Sequence, residues 1–144
     1  MSTVIAARTD IAAPAARVWE ILADFARYPE WNPFTPRIET SGVPGEPVVM
    51  HVRMRPDGPT RIQRETLRQL DAPDRMAWGL DWGPLLHTHR IQRVESLGDG
   101  HCRYVTTNEF KGLLAPLVMA LYRAHVQRGF DGVARALAAR AQHA

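Results

Sequence analysis

The chain of 144 residues carries one cysteine, Cys102, and one lysine, Lys111. A lone thiol excludes an intrachain disulfide framework and a cysteine-based zinc knuckle. There is no G-x-S-x-G elbow, no phosphate-binding glycine loop and no dinucleotide fingerprint, so hydrolase, NTPase and dehydrogenase readings fall away. Long apolar runs are missing too. The longest mostly apolar stretch, Leu113 to Tyr122, contains Pro116 and is about half of the roughly 20 residues a membrane span needs. The N-terminal residues have neither a basic leader nor an apolar core, so a signal peptide is not expected and the cytoplasm is the expected location. All basic residues but Lys111 are arginine, net charge is +3, and the sequence pI is about 9.6. No three arginines are consecutive. Without a clustered basic patch, nucleic acid is not an expected partner.

What is present reads as an ordinary globule. Hydrophobic residues make up 45% and charged residues 23%, with ten glycines and eleven prolines, values that exclude a disordered tail or a coiled coil. The length suits one domain over residues 1–144. Thr3 to Ile11 alternates loosely as a first strand, and Pro14 suits the first turn of a helix over about 14–24, with Val18, Ile21, Leu22 and Phe25 at helical spacing. Asp24 then caps a shorter helix through Tyr28, because Pro29 and Pro33 forbid a long one.

From Arg37 to Lys111 the period changes to two. Val48, Met50, Val52 and Met54 share one strand face, and Pro56-Asp-Gly58-Pro59 is a turn by composition. In the run Arg61 to Leu70 the parity of Ile62, Leu67 and Leu70 changes midway, which a β-bulge would explain. Met76, Trp78, Leu80 and Trp82 alternate strictly before Gly83-Pro84. A long hairpin, Leu86–Leu97 against His101–Phe110, turns at Gly98-Asp99-Gly100. The tail is a helix over about Leu114 to Gln142, with its main stripe on Met119, Val126, Phe130, Val133, Ala134, Leu137 and Ala141. Leu114, Leu117 and Leu121 lie opposite. The first half of this helix is therefore apolar nearly all round, and needs a second partner there: a loop, a ligand or another subunit.

This order of elements, with Ile11-Ala-Ala-Pro14, Val18-Trp19, Leu22-Ala-Asp24-Phe25, Tyr28-Pro-Glu-Trp31-Asn-Pro33, Ala72-Pro-Asp-Arg-Met-Ala-Trp78, Glu109-Phe110-Lys-Gly112 and Gly129-Phe130 leading to Ala136-Leu137, resembles the START/polyketide-cyclase (SRPBCC) superfamily. The resemblance implies an α+β helix-grip fold: a curved seven-stranded antiparallel sheet around a long C-terminal helix, with two short helices between strands 1 and 2. It also implies a cavity between sheet and helix of the kind that takes sterols, lipids, polyketides or plant hormones. It does not imply one activity.

Candidate residues follow from faces and pairings. Trp31 and Phe34, beyond two prolines, are expected near the cavity mouth. Trp78 and Trp82, with Trp31, and the methionines Met50 and Met54 would give a large, adaptable apolar wall, on whose strand faces Val52 and Leu80 also fall. Met119 and Val126 line it from the helix if the cavity lies where the family keeps it, and Tyr122 is a polar group that would fix orientation. Arg64 falls opposite Val52 if the turn spans Pro56 to Thr60, and an inward guanidinium would orient an anion. If Gly98–Gly100 is a three-residue loop, His89 stands opposite Glu109, whose carboxylate would raise the imidazole pKa and make a proton-transfer pair. His87 and His89 form an HxH pair but lack the further ligands a zinc site requires, so no metal is expected. No cofactor is expected either.

The expected function is binding of a small hydrophobic molecule, lipid or polyketide-like, in the internal cavity. One alternative is a cofactor-independent cyclase or dehydratase using His89 and Glu109. The other is an interaction module, or homodimer, built on Leu114, Leu117 and Leu121.

Overall fold

The computed structural model describes residues 2–143. Strand β1 (Ser2–Ile11) leads through Pro14 into helix α1 (Ala15–Ala23) and a 3-10 helix (Phe25–Glu30). Strands β2 (Arg37–Thr40), β3 (Pro47–Val52), β4 (Arg61–Asp71), β5 (Arg75–Gly79), β6 (His87–Gly98) and β7 (His101–Lys111) follow, and helix α2 (Ala115–Gln142) closes the chain. The strands form one antiparallel sheet in the order β1-β7-β6-β5-β4-β3-β2. This is the helix-grip architecture expected from the sequence.

Local chemistry explains the boundaries. Pro14 sits at the N-cap of α1 with extended backbone, and its carbonyl accepts from Arg17 and Val18 at 3.0 and 3.2 Å. Being at the cap, it needs no N–H partner inside the helix. Helix α1 buries Val18, Trp19 and Leu22. The 3-10 helix holds Pro29, and the Tyr28 hydroxyl donates to the Leu22 carbonyl at 2.5 Å, clamping it to α1.

The C-terminal half of α2 grips the sheet tightly. Phe130, Val133, Ala134, Leu137 and Ala141 join a core with Ile5, Ile11, Val94, Cys102 and Tyr104. Polar ties fix the register of helix on sheet: the Gln127 amide donates to the Ala6 carbonyl, and the Gln142 side chain accepts from the Ala12 N–H, both at 2.9 Å. At the other end of α2, Leu117 and Leu121 remain more than half exposed, while Leu114 is half-buried. Among the described residues no helix is long and apolar enough to cross a membrane.

Three sequence expectations shift. Strand β5 ends at Gly79, so Leu80 and Trp82 lie on the segment beyond it, and Trp82 is 56% exposed. The β6–β7 turn is tighter than expected, with Gly98 paired to His101 and a register shift between Ser96 and Gly98. That shift restores the expected pairing, and His89 does lie opposite Glu109. Strand β3 stops at Val52, which pairs with Arg61 rather than Arg64.

Candidate functional site

A cavity of about 570 Å³ opens between the sheet and the first half of α2. Its helix wall is Val118, Tyr122, Val126 and Phe130, a ridge of residues four apart. Met50 and Val52 of β3, Trp78 of β5, Phe110 of β7, and Leu80 and Leu86 of the connecting segment supply the apolar sheet side. Phe34 enters from the segment before β2, and the sequence builds its position locally. The Asn32 side-chain carbonyl accepts from the N–H groups of Phe34 and Thr35 at 3.1 and 2.8 Å, an Asx turn. The Phe34 carbonyl then accepts from the Arg53 N–H at 2.7 Å, and its ring meets Phe130 edge to face at 5.9 Å.

The β4–β5 ladder is irregular beside this cavity. Register slips between Leu67 and Gln69, leaving Arg68 as the bulged residue. Its guanidinium donates to the carbonyls of Thr88 at 2.6 Å and Leu80 at 2.9 Å, satisfying backbone where β5 leaves β6. A Cβ at Gly79 would stand 1.9 Å from the Thr88 carbonyl oxygen, so only glycine fits at this crossing.

Polar side chains stand among the apolar ones. Glu65, Arg90, Thr88, Gln63, Thr35 and Asn108 all border the cavity. Glu65 and Arg90 are 8% and 6% exposed. Burial pushes the Glu65 carboxyl pKa above its ordinary value, against the opposing pull of the hydrogen bond from Gln63 and the charges of Arg90 and Arg68. Arg90 donates from Nε to the Thr106 hydroxyl at 3.2 Å and from Nη2 to Gln92 Oε1 at 3.4 Å, and lies 4.2 Å from the centroid of the Phe130 ring. Asn108 Oδ1 is buried with no hydrogen-bond partner among the described residues.

Of the residues singled out from sequence, Phe34, Met50, Val52, Arg64, Trp78, Leu80, Tyr122 and Val126 border the cavity. Arg64 does so from the wrong side: it pairs with Val49 and is exposed, because the early end of β3 shifts the pairing by three residues and reverses the face. Glu65 takes the inward position instead. Trp31 stands apart, packed edge to face on Tyr28 at 5.0 Å, beside a separate depression lined by Arg17, Arg27 and Arg140. Met119 is half-buried against the core, and its neighbour Val118 takes the cavity position.

His89 and Glu109 pair on the opposite face of the sheet from the cavity. Thr88 and Arg90, the neighbours of His89, point inward, so His89 points out. His89 Nδ1 lies 2.8 Å from Arg68 Nη1, and Glu109 lies 3.4 Å from Lys111 Nζ. Partial burial, Arg68 and His87 lower the imidazole pKa, outweighing the Glu109 carboxylate that was expected to raise it. A pair on this face cannot touch a molecule in the cavity. Among the described residues, no three His, Cys, Asp or Glu side chains gather as a metal site would require.

A sequence profile described as "Polyketide cyclase / dehydrase and lipid transport" matches residues 2–142. The chain belongs to this family. No curated protein sequence matches it. Among solved structures, the family fold of this chain is similar to the Zhui aromatase/cyclase from Streptomyces sp. R1128, with TM-score 0.78 and 23% identity over 99% of this chain and 94% of that one. Norcoclaurine synthase from Thalictrum flavum, in truncated form, gives TM-score 0.72 at 14% identity, covering 100% and 96% of the two chains. A START superfamily protein from Mycobacterium smegmatis gives 0.71 at 18%, covering 96% and 97%. At these identities the likeness is one of fold, and the side chains of the cavity decide what this family member does with it.

Proposed function

We propose that this protein binds a small, largely hydrophobic molecule, lipid or polyketide-like, between the sheet and α2. The observation that carries the reading is the cavity itself: about 570 Å³, walled by Phe34, Met50, Trp78, Phe110, Val126 and Phe130. That volume lies within the range of small-molecule sites, roughly 300–1,000 Å³. Affinity comes mainly from apolar ligand surface leaving water, at about 25 cal/mol per Å² before the entropy of association is subtracted. The polar groups set orientation.

Val126→Trp tests this reading. The added ring fills the space between α2 and β3, so an environment-sensitive apolar dye should bind wild type and lose at least about tenfold in affinity in the variant, a loss of about 1.4 kcal/mol. The far-UV circular dichroism of the two proteins should match. Undiminished dye binding by a folded Val126→Trp protein would place the ligand elsewhere.

A second reading, a cofactor-independent cyclase or dehydratase, is favoured by Glu65 in place of the His89–Glu109 pair. Its carboxyl is buried in the cavity wall with a raised pKa, the condition of a general acid–base group. As carboxylate it would take a proton from carbon beside a ligand carbonyl. It would then return that proton to a departing hydroxyl, releasing water. Together the two steps leave the residue as it began.

A further inference from the structure

Arg90 is a buried cation that makes no salt bridge among the described residues. It points inward from β6, and no carboxylate oxygen among the described residues lies within 4.0 Å of its guanidinium. Its two side-chain hydrogen bonds go to neutral acceptors, Thr106 Oγ1 and Gln92 Oε1. The second acceptor is shared, since the Tyr104 hydroxyl donates to Gln92 Oε1 at 2.5 Å. A guanidinium offers five N–H donors in one plane, so it keeps donors to spare beyond these partners among the described residues. Phe130 at 4.2 Å and Trp78 at 5.8 Å hold that plane by cation–π contact, and both rings belong to the cavity wall. Directly opposite on β7 stands Asn108, whose buried Oδ1 lacks a donor.

A guanidinium without a carboxylate in contact and a buried acceptor without a donor, paired across adjacent strands and facing one cavity, are an unusual arrangement for solid core. Buried charge is retained at a penalty unless something supplies its partner. Glu65 does not: its carboxyl oxygens lie beyond 4.0 Å from the guanidinium, and Gln63 donates to it instead. We propose that the ligand carries an acidic oxyanion (carboxylate, phenolate or enolate) that seats on Arg90, with a neighbouring donor group meeting Asn108, while its apolar body fills the rest of the cavity. This rests on the reading of the cavity as a binding site and narrows it from any greasy molecule to an amphiphilic acid.

A matched pair of dyes separates the two claims: anionic 1-anilinonaphthalene-8-sulfonate, and neutral N-phenyl-1-naphthylamine, which shares its rings and lacks the sulfonate. Wild type should bind the anionic dye more tightly by about tenfold to a hundredfold, the range for hydrogen bonds to a charged group. Arg90→Met should bring the two affinities together while leaving the neutral dye bound. Asn108→Asp, which puts a resident carboxylate opposite Arg90 with almost no change in volume, should do the same and stands in if Arg90→Met fails to fold. Equal binding of the two dyes by wild type, unchanged in the variants, would overturn the acid preference and leave the binding site intact. Failure of wild type to bind either dye would overturn both claims.

Discussion

Glu65 shows at the scale of one residue how a cavity alters the usual chemistry of a strand. It sits on the inward face of β4, between Gln63 and Leu67, where an acid is rare because its charged form loses water. A carboxyl whose pKa is raised on folding holds its proton more tightly in the folded state. The stability it contributes is therefore fully present below the unfolded value of about 4.5 and is lost as pH rises through the folded value. Glu65→Gln removes that titration while preserving the acceptor for Gln63. Melting temperatures of the two proteins should lie close at about pH 4 and diverge by about pH 8, with the variant the more stable. Parallel pH profiles would mean that Glu65 is solvated and carries no raised pKa. Such inward polar residues were hard to read in sequence for a physical reason. On β6 the inward side is Thr88, Arg90, Gln92 and Val94, and the outward side holds His87, His89, Ile91 and Arg93. Neither parity is apolar, so alternation does not distinguish inside from outside. Pairing arithmetic placed His89 opposite Glu109 correctly, yet arithmetic of register carries no information about which face the pair occupies.

At the scale of elements, apolar periodicity was a good guide where packing is dense. The stripe from Val126 to Ala141 on α2, and Val48, Met50 and Val52 on β3, are buried as their spacing predicts. The parity break in β4 is also real, although the bulge at Arg68 brings Leu67 and Leu70 to the same side, and Ile62 alone faces out. Loop lengths were the weak point. The Arg53 N–H is taken by Phe34 and its guanidinium donates to Gly58 at 3.1 Å, so β3 ends early for reasons distant in sequence. One contact between elements makes a sharp prediction. A Cβ on Gly129 would lie 2.2 Å from Phe34 Cδ1, and the Asx turn at Asn32 prevents the ring from backing away freely. Alanine at this mid-helix position gains about 1 kcal/mol of helix propensity, against overpacking of about 1–3 kcal/mol. Gly129→Ala should therefore leave urea-unfolding stability unchanged or lower it by up to about 2 kcal/mol, despite alanine's propensity. In its background Phe34→Ala should be less damaging than in wild type, a coupling that separates the clash from an effect on the helix alone.

Across the whole molecule, α2 has two unlike halves. From Val133 to Ala141 it is set into continuous core, while from Val118 to Phe130 it borders the cavity on one side, and its first turns expose Leu117 and Leu121 on the other. Local stability follows the density of buried apolar contact, so the first half belongs to the part of the fold that opens at lower free energy. Backbone amides of residues 119–124 should exchange with deuterium well before those of residues 133–141, in protein without ligand. A molecule seated in the cavity supplies the missing contacts to Val118, Tyr122 and Val126. At a free concentration about a hundredfold above its Kd it adds about 2.7 kcal/mol to global stability, and this protection should extend to the first half of α2. Uniformly slow exchange along α2 before any ligand is added would mean that the helix is fully supported by protein contacts alone, and that the cavity is too rigid to admit a guest by movement of its helical wall.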